Sequence, residues 1–239
     1  MKICLLLSIL LFGLLAFGQD TETIITNQTN YLSELKSELQ KEWPKNRTIN
    51  IVFHGHSVPS GYFKTPLVNT TSAYPYLFLV KLKTMYPFAV VNIIVTAIGG
   101  ENSVEGAKRF KSEVLIHKPD VLFIDYALND RSIGLEKAYE AWTQMIKQAK
   151  ELEIPVILLT SSPDQSVNYD SSNNELKKHS EQIIQLAMEN QLGLVDSYKA
   201  FEFLYADKEE LAKYMSQVNH PNDKGHELIA NEIIKFFNK

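Results

Sequence analysis

Five short runs dominated by Ile, Val, Leu and Phe recur along this chain, at residues 49–53, 89–95, 121–126, 155–160 and 192–195. Runs of this length, apolar on nearly every position, suit strands buried on both faces better than amphipathic helices. Between them lie segments with apolar residues at helical spacing, at 31–42, 73–86, 103–117, 135–151 and 174–190, and a last one follows at 223–237. Pro44 and Pro119 end two of these segments, and Pro75 falls in the first turn of a third, where it is tolerated. Strands alternating with helices restrict the fold to an α/β domain whose parallel sheet is covered on both faces.

A chain of 239 residues with 45% hydrophobic and 22% charged residues is long enough for one such domain. No repeat, low-complexity segment or linker calls for a second. The net charge of −4 leaves no basic footprint, which argues against nucleic acid as a partner.

The first eighteen residues read as an address rather than as fold. Lys2 supplies a positive start, residues 3–17 are almost continuously apolar, and Ala16-Phe17-Gly18 places small residues where a signal peptidase cuts. The run is short of the roughly 20 residues a membrane span needs. Cleavage after Gly18 is expected, leaving residues 19–239 as an exported domain with no stable membrane insertion. The single cysteine, Cys4, goes with the leader, so the mature chain has no thiol for disulfides, nucleophilic catalysis or metal ligation.

Chemistry concentrates where the strands end. The first run stops in His54-Gly55-His56-Ser57, delivering a hydroxyl to the carboxyl edge of the sheet, the edge at which open α/β folds place their sites. Gly55 is expected to allow a sharp turn there. The second run leads to Gly99-Gly100, the third to Ala127-Leu128-Asn129-Asp130, and His220 stands just before the last helix. A serine hydroxyl needs an imidazole to take its proton, and the oxyanion that forms needs donors already aimed at it. The N–H groups of Ser57 and Gly100 and the Asn129 amide are candidate donors. The Thr- and Asn-rich loop 62–72 follows closely enough to form one wall of the site.

These residues resemble the SGNH (GDSL-like) hydrolase family, whose Ser, Gly, Asn and His occur in that order. G-H-S-V-P-S-G-Y at 55–62 is similar to its first block, I-G-G-E-N-S-V-E-G at 98–106 to its second, A-L-N-D at 127–130 to its third and H-P-N-D-K-G-H at 220–226 to its last. The resemblance covers about residues 50–235. It implies a three-layer, flavodoxin-like fold and an esterase with Ser57 as nucleophile, Gly100 and Asn129 as oxyanion donors, and His220 as base. It implies no metal or organic cofactor. Substrates across the family include O-acetylated carbohydrates, lipids, lysophospholipids and thioesters; export without a membrane helix leans towards a short acyl group, such as acetyl, on a small-molecule or saccharide ester.

Three positions depart from the family pattern. His56 stands where Asp usually follows the first glycine, and Ala127 opens the third block in place of Gly. The triad acid, three residues before the histidine, is replaced by Gln217, whose amide carries no charge to stabilise an imidazolium. A Ser-His dyad, an acid from elsewhere, and a carbohydrate-binding relative without activity therefore all stay open.

Other readings compete for the same residues. His54 and His56 form an H-x-H pair, a spacing that can hold zinc, although no H-E-x-x-H or mature cysteine accompanies it. Gly100 alone fits a helix-entry glycine, Asn129 a turn residue, and His220 a surface-loop histidine. Asp196 fits a loop residue, Asp223 a helix N-terminal residue and His226 a helix-packing residue. No G-x-S-x-G elbow or Walker lysine is present.

Overall fold

The structure, a computed structural model, describes residues 28–238. The leader and its cleavage point after Gly18 lie outside the described residues. Strands β1 (Thr48–Gly55), β2 (Val90–Val95), β3 (Val121–Asp125), β4 (Val156–Leu159) and β5 (Gly193–Val195) form one parallel sheet in the order β2-β1-β3-β4-β5. All five apolar runs are therefore strands, within a residue or two of their expected bounds. The chain turns from one side of β1 to the other between β2 and β3, and such a switch point opens a crevice at the carboxyl ends of the strands.

Helices cover both faces, as the alternation required. On one face lie α1 (Ser33–Leu39), α2 (Tyr74–Met85) and, from the chain's end, α6 (Asp223–Ile234); on the other lie α3 (Ser103–Arg109), α4 (Leu135–Lys150) and α5 (Glu175–Asn190). The first face packs Phe53, Phe78 and Phe123 with Ile229 and Ile233, the rings of Phe53 and Phe123 stacked at 4.5 Å. The second packs Val52, Leu122 and Leu158 against Phe110, Trp142 and Ile183. Each fully buried side chain of this size contributes about 1.5–3 kcal/mol of transfer free energy, so the sheet is held rigidly between two cores.

Two details differ from the expected segments. The single helix expected at 103–117 is α only to Arg109, continuing as a wider turn at Phe110–Val114 and a tighter one at Leu115–His117. The stretch around 199–214 is helical in pieces, and it leads into a short antiparallel hairpin, β6 (Met215–Gln217) and β7 (His220–Pro221), absent from the apolar pattern.

Candidate active site

Ser57 opens a single helical turn, Ser57–Ser60, directly after β1. The reason the chain turns so tightly here is Gly55, though not through an unusual backbone angle. A Cβ on Gly55 would stand 2.4 Å from the Asp125 carbonyl oxygen and 2.9 Å from Pro59, so only a residue without one lets β1 and β3 approach at this point. Main-chain bonds then fasten the three strand ends together: Ile98 N–H to the Gly55 carbonyl at 3.0 Å and His56 N–H to the Asp125 carbonyl at 3.3 Å.

His220 reaches this point from the β6-β7 hairpin. Its Nε2 lies 2.9 Å from the Ser57 hydroxyl oxygen, with both residues largely buried. The ring's other nitrogen, Nδ1, lies 2.8 Å from the Gln217 side-chain nitrogen and 3.2 Å from the Phe63 carbonyl oxygen. No carboxylate among the described residues pairs with this ring. Burial lowers the His220 pKa from its usual range, the Phe63 carbonyl opposing that shift in part. That direction favours the neutral ring, the form in which an imidazole can accept a proton.

Gly100 and Asn129 lie in the segments that follow β2 and β3, the strands on either side of β1. Gly100 has φ +82°, a left-handed conformation, in an open turn where an added Cβ would touch nothing within 4 Å. The Asn129 amide donates to the Glu101 carbonyl at 2.9 Å, tying the two flanking loops together. The N–H groups of Ser57 and Gly100 find no acceptor among the described residues. The site thus places a hydroxyl in contact with an imidazole, with unpaired backbone N–H groups at Ser57 and Gly100.

A family model for the GDSL-like lipase/acylhydrolase family matches residues 53–228. The chain belongs to this family. As a member of the GDSL-like family it is a serine hydrolase acting on carboxylic esters. No curated protein matches it in sequence. Among solved structures it is similar to Axe2, an acetylxylan esterase from Geobacillus stearothermophilus, at 18% identity over 80% of this chain and 94% of that one, with a TM-score of 0.69. It is also similar to a two-domain esterase, CEX, active on acetylated mannans, at 23% identity and a TM-score of 0.70. That match covers 87% of this chain and 52% of the other, so this chain spans about half of the two-domain enzyme. At these identities the likeness is one of fold.

Several GDSL-like features are rearranged here. His56, in place of the usual Asp, accepts the Val58 N–H on Nδ1 and turns Nε2 towards Asp125 Oδ1 at 3.3 Å, while Asp125 Oδ2 accepts from the Tyr74 hydroxyl at 3.0 Å. An acid thus stands at the strand end of β3, beside the imidazole that follows β1. Behind Gly100, the buried Glu101 carboxylate takes two bonds from Arg109, with 2.7 Å from Nε to Oε1, and a third from the Tyr126 hydroxyl at 2.7 Å. Tyr126 in turn meets His54 Nε2 at 3.1 Å. The β-turn carrying Gly100 is thereby anchored to the second core.

The remaining candidates take structural places. His54 sits between Phe110 and Tyr126 with its pKa lowered to about 3 by burial, whereas His56 faces Asp125, so the H-x-H rings engage groups from different cores. Among the described residues no group of three His, Cys, Asp or Glu side chains is placed to hold a metal ion. His226 is buried in α6 and accepts the Tyr74 N–H at 3.2 Å, a packing role. Asp196 caps the turn Ser197–Ala200, and Asp223 opens α6 behind the capping residue Asn222. Loop 62–72, expected as a wall of the site, reaches it through Thr65 against Gln217 and Phe63 against His220, whereas Asp125 is a neighbour that the sequence did not single out. Phe63 acts through its main chain, which leaves no side-chain signal to read.

Proposed function

We propose that this chain is an exported esterase that removes short acyl groups, acetyl above all, from carbohydrate. The observation that carries the reading is the 2.9 Å contact between Ser57 and a neutral His220 at the sheet's switch point. In this mechanism His220 Nε2 takes the Ser57 proton as Oγ bonds to the ester carbonyl carbon. The Ser57 and Gly100 N–H groups and the Asn129 amide hold the resulting oxyanion. The carbon–oxygen bond to the alcohol then breaks, and His220 returns the proton to the departing alkoxide. Water repeats the sequence on the acyl-enzyme and releases the carboxylic acid. The acetyl-carbohydrate preference is supported by the enzymes that share the fold, which act on acetylxylan and acetylated mannans. Export is supported by the leader-like residues 1–18.

The alternative of a carbohydrate-binding relative without turnover draws on one observation, the amide of Gln217 where a charged acid would face His220. Hydrolysis of p-nitrophenyl acetate and of a long-chain ester, measured beside Ser57→Ala, separates the readings. Turnover abolished by the substitution and faster on acetyl is the expected result. A long-chain preference would shift the assignment to a lipase or thioesterase of the same family, and absence of Ser57-dependent turnover on acetylated xylan or mannan would favour the binder.

A further inference from the structure

The contacts of Gln217 fix more than the position of His220. The amide oxygen of this side chain accepts from the Thr65 backbone N–H at 3.0 Å. A backbone N–H can only donate, so the atom facing it is the oxygen and the amide's orientation follows from the partner. The amide nitrogen, also 3.4 Å from the Thr65 hydroxyl, then faces His220 Nδ1 at 2.8 Å. An amide NH2 can only donate as well. Nδ1 is therefore an acceptor, and a neutral imidazole with Nδ1 accepting carries its proton on Nε2. That proton points at Ser57 Oγ, 2.9 Å away. In this arrangement the serine accepts from the ring, and the ring has no lone pair facing the serine's proton.

A second acceptor lies beside Nδ1. The Phe63 carbonyl stands 3.2 Å away and, besides one bond from the Ser216 hydroxyl at 2.7 Å, has a lone pair to spare. We propose that Gln217 is a positioning residue that holds the resting His220 ring with its proton on Nε2, and that turnover runs through the other tautomer, in which Nδ1–H donates to the Phe63 carbonyl. Exchange moves one proton from Nε2 to Nδ1 by way of solvent, leaving the ring neutral in both forms. It requires the Gln217 amide to swing away from Nδ1, giving up its own bond there. The base is thus throttled in the free enzyme, and loop 62–67, which supplies both Thr65 and Phe63, sets how often it is released. In a serine protease the amide substitution of the triad Asp lowers turnover about 10⁴-fold through the same wrong tautomer. Here the backbone carbonyl offers the ring an exit that keeps the loss smaller.

This inference rests on His220 being the base of the proposed esterase, and its test reads the two separately. Long-range 15N–1H correlations of the His220 ring above pH 7 report which nitrogen carries the proton, whether or not the protein turns over ester. The expected result is Nε2–H in the wild type and Nδ1–H in Gln217→Glu, where one carboxylate oxygen keeps the Thr65 N–H and the other accepts from the ring. With p-nitrophenyl acetate, Gln217→Glu should raise the Ser57-dependent kcat at least about tenfold with KM little changed. Its acid limb should move to higher pH, the new carboxylate outweighing His56 and His226, the two other titratable side chains coupled to this ring. Gln217→Met, which keeps the bulk and removes the donor, should also raise kcat, by about threefold. A wild-type ring protonated on Nδ1, or a kcat that falls in either variant, overturns the proposal. Turnover that persists in Ser57→Ala would instead overturn the esterase reading while leaving the ring's tautomer to be read.

Discussion

In the proposed mechanism Asn129 would do two jobs with one amide. One Nδ2 hydrogen is given to the Glu101 carbonyl, which ties Asn129 to the Gly100 turn, and the second would serve an oxyanion on Ser57. Truncating it removes a donor and loosens the turn together. Asn129→Ala should lower kcat on p-nitrophenyl acetate by about 10²–10³, the usual loss for one oxyanion donor, with little change in Tm. Asn129→Asp should be at least as damaging, because a carboxylate oxygen would then face both the Glu101 carbonyl and the developing negative charge. The same scale sets the pH response. The proposed mechanism needs neutral His220, and its pKa lies below the ordinary 6.5, lowered by burial more than the Phe63 carbonyl raises it. The acid limb of kcat/KM should therefore have its midpoint below 6.5, as initial rates across pH 4 to 8 would show; a midpoint above it would mean that a carboxylate reaches the ring.

At the scale of elements, the site depends on how firmly the loop after β2 is held. That loop has no helix of its own to brace it before α3, and the bracing comes from Glu101, bound by Arg109 of α3 and by Tyr126 at the end of β3. Arg109 and Glu101 are 12% and 8% exposed, so removing the guanidinium strands a buried carboxylate. Arg109→Met should destabilise the protein by about 3 kcal/mol, read from urea unfolding, and lower kcat more than it raises KM. A loss of stability with unchanged turnover would show that the Gly100 turn holds itself. The strands were legible because burial on both faces writes a continuous apolar run, and Ser57, Gly100, Asn129 and His220 could be picked out as candidates because each follows such a run or precedes a helix; of these, Ser57 and His220 meet in the structure. The β6-β7 hairpin was not, since two or three residues per strand carry no period and its position depends on loop 62–67, some 150 residues earlier in the chain. The pairing of His56 with Asp125 was equally hidden. It follows from the register that sets Gly55 opposite Asp125, which no single run of sequence encodes.

Taken whole, the molecule buries several imidazoles in places that favour the neutral ring. His54 and His226 both have pKa values lowered to about 3, desolvation being the largest cause in each, and His179 and His220 are lowered in the same direction. An unfolded chain returns each to about 6.5. Between those values the unfolded state binds more protons than the folded one, so stability rises with pH through this window and is level above it. Going down from pH 6.5, His54 and His226 each withdraw on the order of 1.4 kcal/mol per pH unit. Folding stability measured by urea unfolding should accordingly hold from pH 7 to 8 and fall steeply between pH 6 and 4. His226→Gln offers a check on the origin of the slope, because an amide can still accept the Tyr74 N–H while carrying no titrating group. That variant should start less stable at pH 7, having lost a fitted ring from α6, yet lose stability less steeply on acidification. A slope unchanged by the substitution would assign the acid sensitivity to the other buried rings and leave His226 outside it.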